Sequence, residues 1–108
     1  MSDALLDMND HDVSQMATMF SLLGDPTRVR VVLLLCRGEQ NVRSLCTALG
    51  LPQPTVSHHL GLLRRGGILK SRREGKSIHY SLDGRCQMVN GSEFHIEGMG
   101  GIKLRVSR

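Results

Sequence analysis

The chain has 108 residues, 40% of them hydrophobic but only 3% aromatic, with a formal net charge of +4 and a pI near 9.4. That length suits one domain with a modest core, and no run approaches the roughly 20 apolar residues of a bilayer-spanning helix. The acidic opening MSDALLDMNDHD lacks the basic n-region of a signal peptide, so the expectation is a cytoplasmic protein with Cys36, Cys46 and Cys86 reduced.

With no Trp, one Tyr and two Phe, the core must come from Leu, Val, Ile and Met, which favours helices over strands. Charge is unevenly placed. Asp3, Asp7, Asp10 and Asp12 crowd the first twelve residues, read as a flexible acidic tail. Arg64, Arg65, Lys70, Arg72, Arg73, Lys76 and Arg85 stand against only Glu74 and Asp83 further on. A basic segment this dense in a small domain points to a polyanionic partner.

In chain order, Asp12 can cap a first helix in which Val13, Met16, Ala17, Phe20 and Leu23 recur at helical spacing, ending at Gly24. Met19 and Leu22 widen the apolar stripe beyond one core face. Met16, Met19, Phe20, Leu22 and Leu23 are therefore candidate subunit contacts. Asp25-Pro26 opens a second helix, TRVRVVLLLCR, that stops at Gly38. Its almost wholly apolar surface predicts a central position. Asn41 caps a short third helix, VRSLCTAL, closed by Gly50. A fourth runs from Gln53 to Arg65 before Gly66-Gly67, with Val56, Leu60 and Leu63 on one face.

Ile78, Tyr80 and Leu82 then alternate with polar residues around the turn Arg73-Glu-Gly-Lys76, which predicts an antiparallel hairpin with a basic tip. Past this point Gly91, Gly98, Gly100 and Gly101 argue against a long helix. Phe94/Ile96 and Ile102/Leu104/Val106 suggest a second small hairpin around Gly98-Met-Gly-Gly101. The order is α-α-α-α-β-β with an atypical Gly-rich extension over 86–108, following a domain over 13–85.

Two short helices joined by a tight turn over 41–65 form a helix-turn-helix, whose second helix offers its N-terminal residues to base edges in the major groove. With Val56, Leu60 and Leu63 inward, Gln53, Pro54, Ser57, His58, Gly61 and Arg64 face outward. Gln pairs with adenine through two hydrogen bonds, Ser with several bases, and Thr55 offers a methyl to thymine or a hydroxyl to phosphate. Arg64 and Arg65 stand at the helix exit, and Arg72, Arg73 and Lys76 supply the wing. Adjacent His58 and His59 project about 100° apart and converge poorly on one ion. His58 is expected in the groove. His59 is expected at the boundary, bonded to backbone or phosphate.

The stretches LGDPTRVRVVLLLCRGE and LCTALGLPQPTVSHHLGLLRRGGILKSRREGKSIHYSL resemble the winged-helix repressors of the ArsR/SmtB family, over about residues 14–83. The resemblance implies a winged helix-turn-helix, a homodimer and binding to double-stranded operator DNA. It also implies that release can follow binding of a metal ion or a thiol-reactive species. The family's Glu-Leu-Cys-Val-Cys-Asp-Leu motif reads here Glu39-Gln-Asn-Val-Arg-Ser-Leu45, with Asn41 and Arg43 in place of cysteines, so that metal site is absent. A second family site maps onto Gly84, Cys86, Glu97 and Gly100, which is a poor ligand set. No metal and no cofactor are expected. Cys86, beside Arg85, is the candidate redox thiol, while Cys36 and Cys46 read as packed hydrophobes.

The leading expectation is a dimeric repressor on a palindromic operator. One alternative is the same module gated by a thiol or small-ligand switch through Cys86, with the inducer unknown. Another is a winged helix used only for protein contacts. No nucleophile–base–orienter set, phosphate loop or paired carboxylates suggest an enzyme.

Overall fold

The computed structural model describes residues 7–97 and 103–108; within these no helix is long and apolar enough to cross a membrane. The first helix, α1, spans Asp10–Leu23. Its cap is Asn9 rather than Asp12: the Asn9 side chain accepts from the Asp12 N–H at 2.8 Å. Asp10 and Asp12 then lie in the first turn, where the helix dipole favours them. Residues 10–12 therefore belong to the helix and not to a tail.

Helix α2 (Pro26–Leu35) begins as its Asp-Pro start predicts, with the Asp25 carboxylate accepting from the Arg28 N–H at 3.0 Å. Val31, Val32 and Leu35 are buried, but Val29 and Leu33 remain exposed, so one side of this helix faces outward. Helix α3 (Val42–Leu49) is capped by Asn41 and closed by Gly50 at φ 66°, a left-handed position that suits glycine. Helix α4 spans Gln53–Arg65.

Strand β1 (Gln40–Asn41) precedes α3, and β2 (Leu69–Glu74) and β3 (Ser77–Leu82) form the wing, in the order β1-β3-β2. Arg73 and Glu74 still lie in the strand. The turn is Gly75-Lys76, with Gly75 at φ 60°, the first central position that favours glycine in a two-residue hairpin.

Residues 86–107 hold one strand more than the expected hairpin. Strands β4 (Cys86–Asn90), β5 (Glu93–Glu97) and β6 (Lys103–Ser107) pair antiparallel in that order. The β5–β6 pair matches the expected alternation, while the predicted turn at Gly98–Gly101 and residue Ile102 lie outside the described residues. Cys86, Ile96 and Leu104 align across this sheet, as do Met88, Phe94 and Val106, so the period of two gathers its apolar residues on one face.

The core joins all these parts. Val31, Leu45, Val56, Leu60 and Leu63 are fully enclosed, and Met19, Ile68, Leu69, Tyr80, Cys86, Phe94 and Ile96 complete the cluster. Val56, Leu60 and Leu63 face inward as their spacing requires. Met19 is the exception to the subunit-contact reading: it is an internal core residue, and Leu22 and Leu23 pack against the same core. The open stripe of α1 is instead Val13, Ala17 and Phe20, with Val13 and Phe20 about half exposed.

Candidate nucleic-acid interface

The turn Gly50-Leu-Pro52 sets α4 across α3, with no side chain capping the start of α4. With its buried face fixed by Val56, Leu60 and Leu63, the helix leaves Gln53, Pro54, Thr55, Ser57 and His58 exposed on its first turns. Arg64 is also exposed. Arg65 folds back along the helix, its guanidinium 3.3 Å from where a Cβ on Gly61 would stand, and lines a cleft with α1. Gly61 thus makes room for Arg65 as well as for any external surface.

Between α4 and the wing runs a groove of about 470 Å³ whose walls include Asn41, Arg43, Gln53, Ser57, Lys76 and Tyr80. It brings the base-reading candidates Gln53 and Ser57 together with the wing cation Lys76. Arg43 was not among the expected contacts. Its signal was present in the sequence: a cation in the first turn of the bracing helix, two residues beyond the cap Asn41.

Wing residue Arg72 stands differently from its neighbours. Its Nε–H points at both Glu39 carboxylate oxygens, 2.9 and 3.0 Å away, and its Nη1 donates to Glu74 at 2.9 Å. The guanidinium holds the Glu39 carboxyl below its ordinary value of 4.5, while both carboxylates push Arg72 up. His79, on the neighbouring strand β3, joins the same cluster. Its two ring nitrogens lie 3.8 Å from Glu39 and from Glu74 respectively.

His59 packs at the boundary, as expected, but its neighbour is a carboxylate: Nδ1 lies 3.9 Å from Asp25. Arg28 lies 3.9 Å from the same oxygen, and the Arg28 backbone N–H is the main cause of a lowered Asp25 pKa. The His58 and His59 rings are 5.6 Å apart and steeply inclined, and among the described residues no three His, Cys, Asp or Glu side chains converge on a metal position. In the second sheet, His95 Nε2 lies 2.7 Å from the Glu93 carboxylate.

The redox candidate is corrected by its surroundings. Cys86 is 4% exposed, and burial, followed by the nearby Asp83 charge, pushes its thiol up to about 11. Arg85 does lower it, as expected, but its guanidinium is engaged with Asp83 at 3.2 Å and the Gly67 carbonyl at 3.4 Å, and burial outweighs its charge. A protonated, enclosed thiol behaves as a small hydrophobe. Burial raises the Cys36 thiol as well.

Comparison with known proteins agrees with this geometry. Residues 25–71 match the family described as bacterial regulatory protein, arsR family. The arsenical resistance operon repressor of Escherichia coli strain K12 is 51% identical over 65 residues, 59% of this chain and 56% of that protein, so the chain spans little more than half of that relative's length. The HTH-type transcriptional regulator KmtR of Mycobacterium tuberculosis is 36% identical over 93 residues, covering 84% of this chain and 72% of KmtR. Among solved structures, the homodimeric winged helix-turn-helix DNA-binding domain of Mb0332 from Mycobacterium bovis superposes with a TM-score of 0.67 at 32% identity, over 72% of each chain. By its fold, and by identity that extends over most of a full-length regulator, the chain belongs to the arsR family of bacterial regulatory proteins.

Proposed function

We propose that this protein is a cytoplasmic, dimeric transcriptional repressor that binds a palindromic operator, by binding alone and without catalysis. Residues 13–85 form the DNA-binding domain, and 86–108 an extension that joins the dimer contact. The observation that carries the reading is the groove between α4 and the wing, where Gln53 and Ser57 face Arg43 and Lys76. Base-reading amides and hydroxyls beside phosphate-binding cations is the composition a major-groove reader needs.

In this reading α4 enters the major groove with Gln53, Pro54, Thr55, Ser57 and His58 at the base edges. Arg43, Arg64, Arg73 and Lys76 take phosphates. His59 and Arg65 hold α4 against the body of the domain. One 12 kDa module has a small footprint, and two-fold pairing doubles it. The exposed Val13, Ala17 and Phe20 stripe of α1 and the open apolar end of the second sheet, Met88 and Val106, are the surfaces for that pairing. The enclosed Cys86 weighs against a thiol switch at that residue.

The test is selection of bound genomic fragments, followed by titration of a selected duplex and a scrambled one at several salt concentrations. With ~6–8 phosphates contacted per dimer, log affinity falls against log salt with a slope of about −5 to −7. Binding that is weak, salt-insensitive and indifferent to sequence would sink the reading.

A further inference from the structure

We propose that Arg72 is a positioning residue that locks the wing onto Glu39, so that of the wing cations Arg72, Arg73 and Lys76 only the last two meet nucleic acid. The proposal rests on the DNA-binding reading above and deepens it.

Directly opposed residues in an antiparallel sheet project from the same face, and residues two apart along a strand share a face. Asn41, His79 and Arg72 lie side by side across β1, β3 and β2. Glu74 stands two residues along from Arg72, and Glu39 two residues before Asn41. One face of the wing sheet therefore gathers Glu39, Lys70, Arg72, Glu74 and His79. The other carries the opposed pairs Ser71–Tyr80 and Arg73–Ile78; Ile78 and Tyr80 line the groove beside α4, which Asn41 and Ser77 reach only at its edges and which Arg72 does not line. The wing has a groove side and a back, and Arg72 is on the back.

There the guanidinium is already engaged. Glu39 takes its Nε–H and an Nη2–H, and Glu74 takes an Nη1–H. Two carboxylates surround one guanidinium, so the ion-pair cluster has no surplus positive charge to offer a phosphate. The link joins positions 33 apart in sequence. Glu39 immediately precedes β1, which is only two residues long and runs straight into α3 of the helix-turn-helix. Beside that short pairing and the packing of the hairpin on α3 and α4, the Arg72–Glu39 fork is a direct side-chain tie between the outer wing strand and the root of α3. It fixes how far the wing tip stands from α4, and hence whether tip and reading helix engage one duplex in register. Isolated exposed ion pairs contribute little, but a forked guanidinium with a second carboxylate is geometrically exacting.

The experiment titrates the full chain by fluorescence anisotropy against the selected duplex and its scrambled counterpart over a salt series. It compares R72Q, E39Q, R73Q, K76Q and the charge-reversed pair E39R/R72E. Each of R73Q and K76Q should reduce the magnitude of the salt slope by about 1 per protomer. R72Q should leave the slope at the wild-type value but lower the ratio of selected to scrambled affinity about two- to fivefold. E39Q should lower that ratio similarly, and E39R/R72E should restore most of it. A slope reduced by R72Q as much as by R73Q would overturn the proposal, as would a ratio that R72Q does not move or the reversed pair does not rescue. If R73Q and K76Q also leave the slope unchanged, the DNA-binding reading fails, and the proposal with it.

Discussion

His59, midway along α4, stands 3.9 Å from Asp25, the residue that caps α2. The reading helix thereby packs close to the start of the central helix, beside a carboxylate that already accepts the Arg28 N–H. Because Asp25 has a folded pKa below its ordinary value of 3.8, its contribution to stability is present above that value. It is lost as pH falls through the lower folded value. Asp25→Ala should lower the melting temperature at pH 7 and flatten the acid limb of a melting-temperature curve between pH 5 and 2, read by circular dichroism.

On the interface itself, Arg43→Gln should weaken selected and scrambled duplexes alike and reduce the salt slope by about 1 per protomer, as loss of a phosphate contact does. Gln53→Ala should leave the slope in place and reduce discrimination, by about 1–3 kcal/mol at the base pair it reads. Titration against duplexes substituted one position at a time separates the two effects.

The same helix has an inner face whose truncation acts on folding. Leu60 is fully enclosed between the helices, and Leu60→Ala should cost about 2–5 kcal/mol in urea unfolding, through lost transfer energy and the cavity left behind.

Helix α1 offers a contrast between neighbours. Phe20→Glu should dissociate a dimer with little change in protomer unfolding, because half of that side chain already faces solvent. Met19→Ala should do the reverse, lowering unfolding stability by about 2–5 kcal/mol as a core truncation. Light scattering after size exclusion, run beside chemical denaturation, reads both.

Cys86 should resist alkylation by iodoacetamide at pH 8 until denaturant unfolds the chain, as mass spectrometry of the labelled peptides would show. Its thiol stays protonated in the fold up to about 11, whereas the unfolded thiol ionises near 9.0. The stability it lends is therefore full below pH 9 and lost as pH rises from 9 towards 11.

The sequence carried the helix-turn-helix because its signals are local. Asp25-Pro26, Asn41, Gly50 and Gly66-Gly67 punctuate the chain, and Val56, Leu60 and Leu63 mark the inward face unaided. Where two nearby residues could serve as cap, as Asn9 and Asp12 could, pattern alone chose the wrong one. Met19 and Phe20 are both apolar and adjacent, and only packing against α2 and α4 separates core from surface. Arg73 was expected in the turn; that it lies in β2 is what puts Arg72 and Arg73 on opposite faces, and the partner that engages Arg72, Glu39, lies 33 positions away. Arg85 beside Cys86 suggested an activated thiol, because the sequence does not show that the guanidinium turns to Asp83 and the sulfur to the core.

Gly66, at the end of α4, has an ordinary backbone conformation, so its lack of a side chain answers to space and not to strain. A Cβ there would collide with the Leu22 side chain of α1. The end of the reading helix and the flank of α1 therefore touch at this one point, beside the cleft that Arg65 lines. A methyl group at Gly66 would push the Leu22 side chain aside and prise open the seam between α1 and the end of the reading helix, so the missing side chain sets how closely the two can approach.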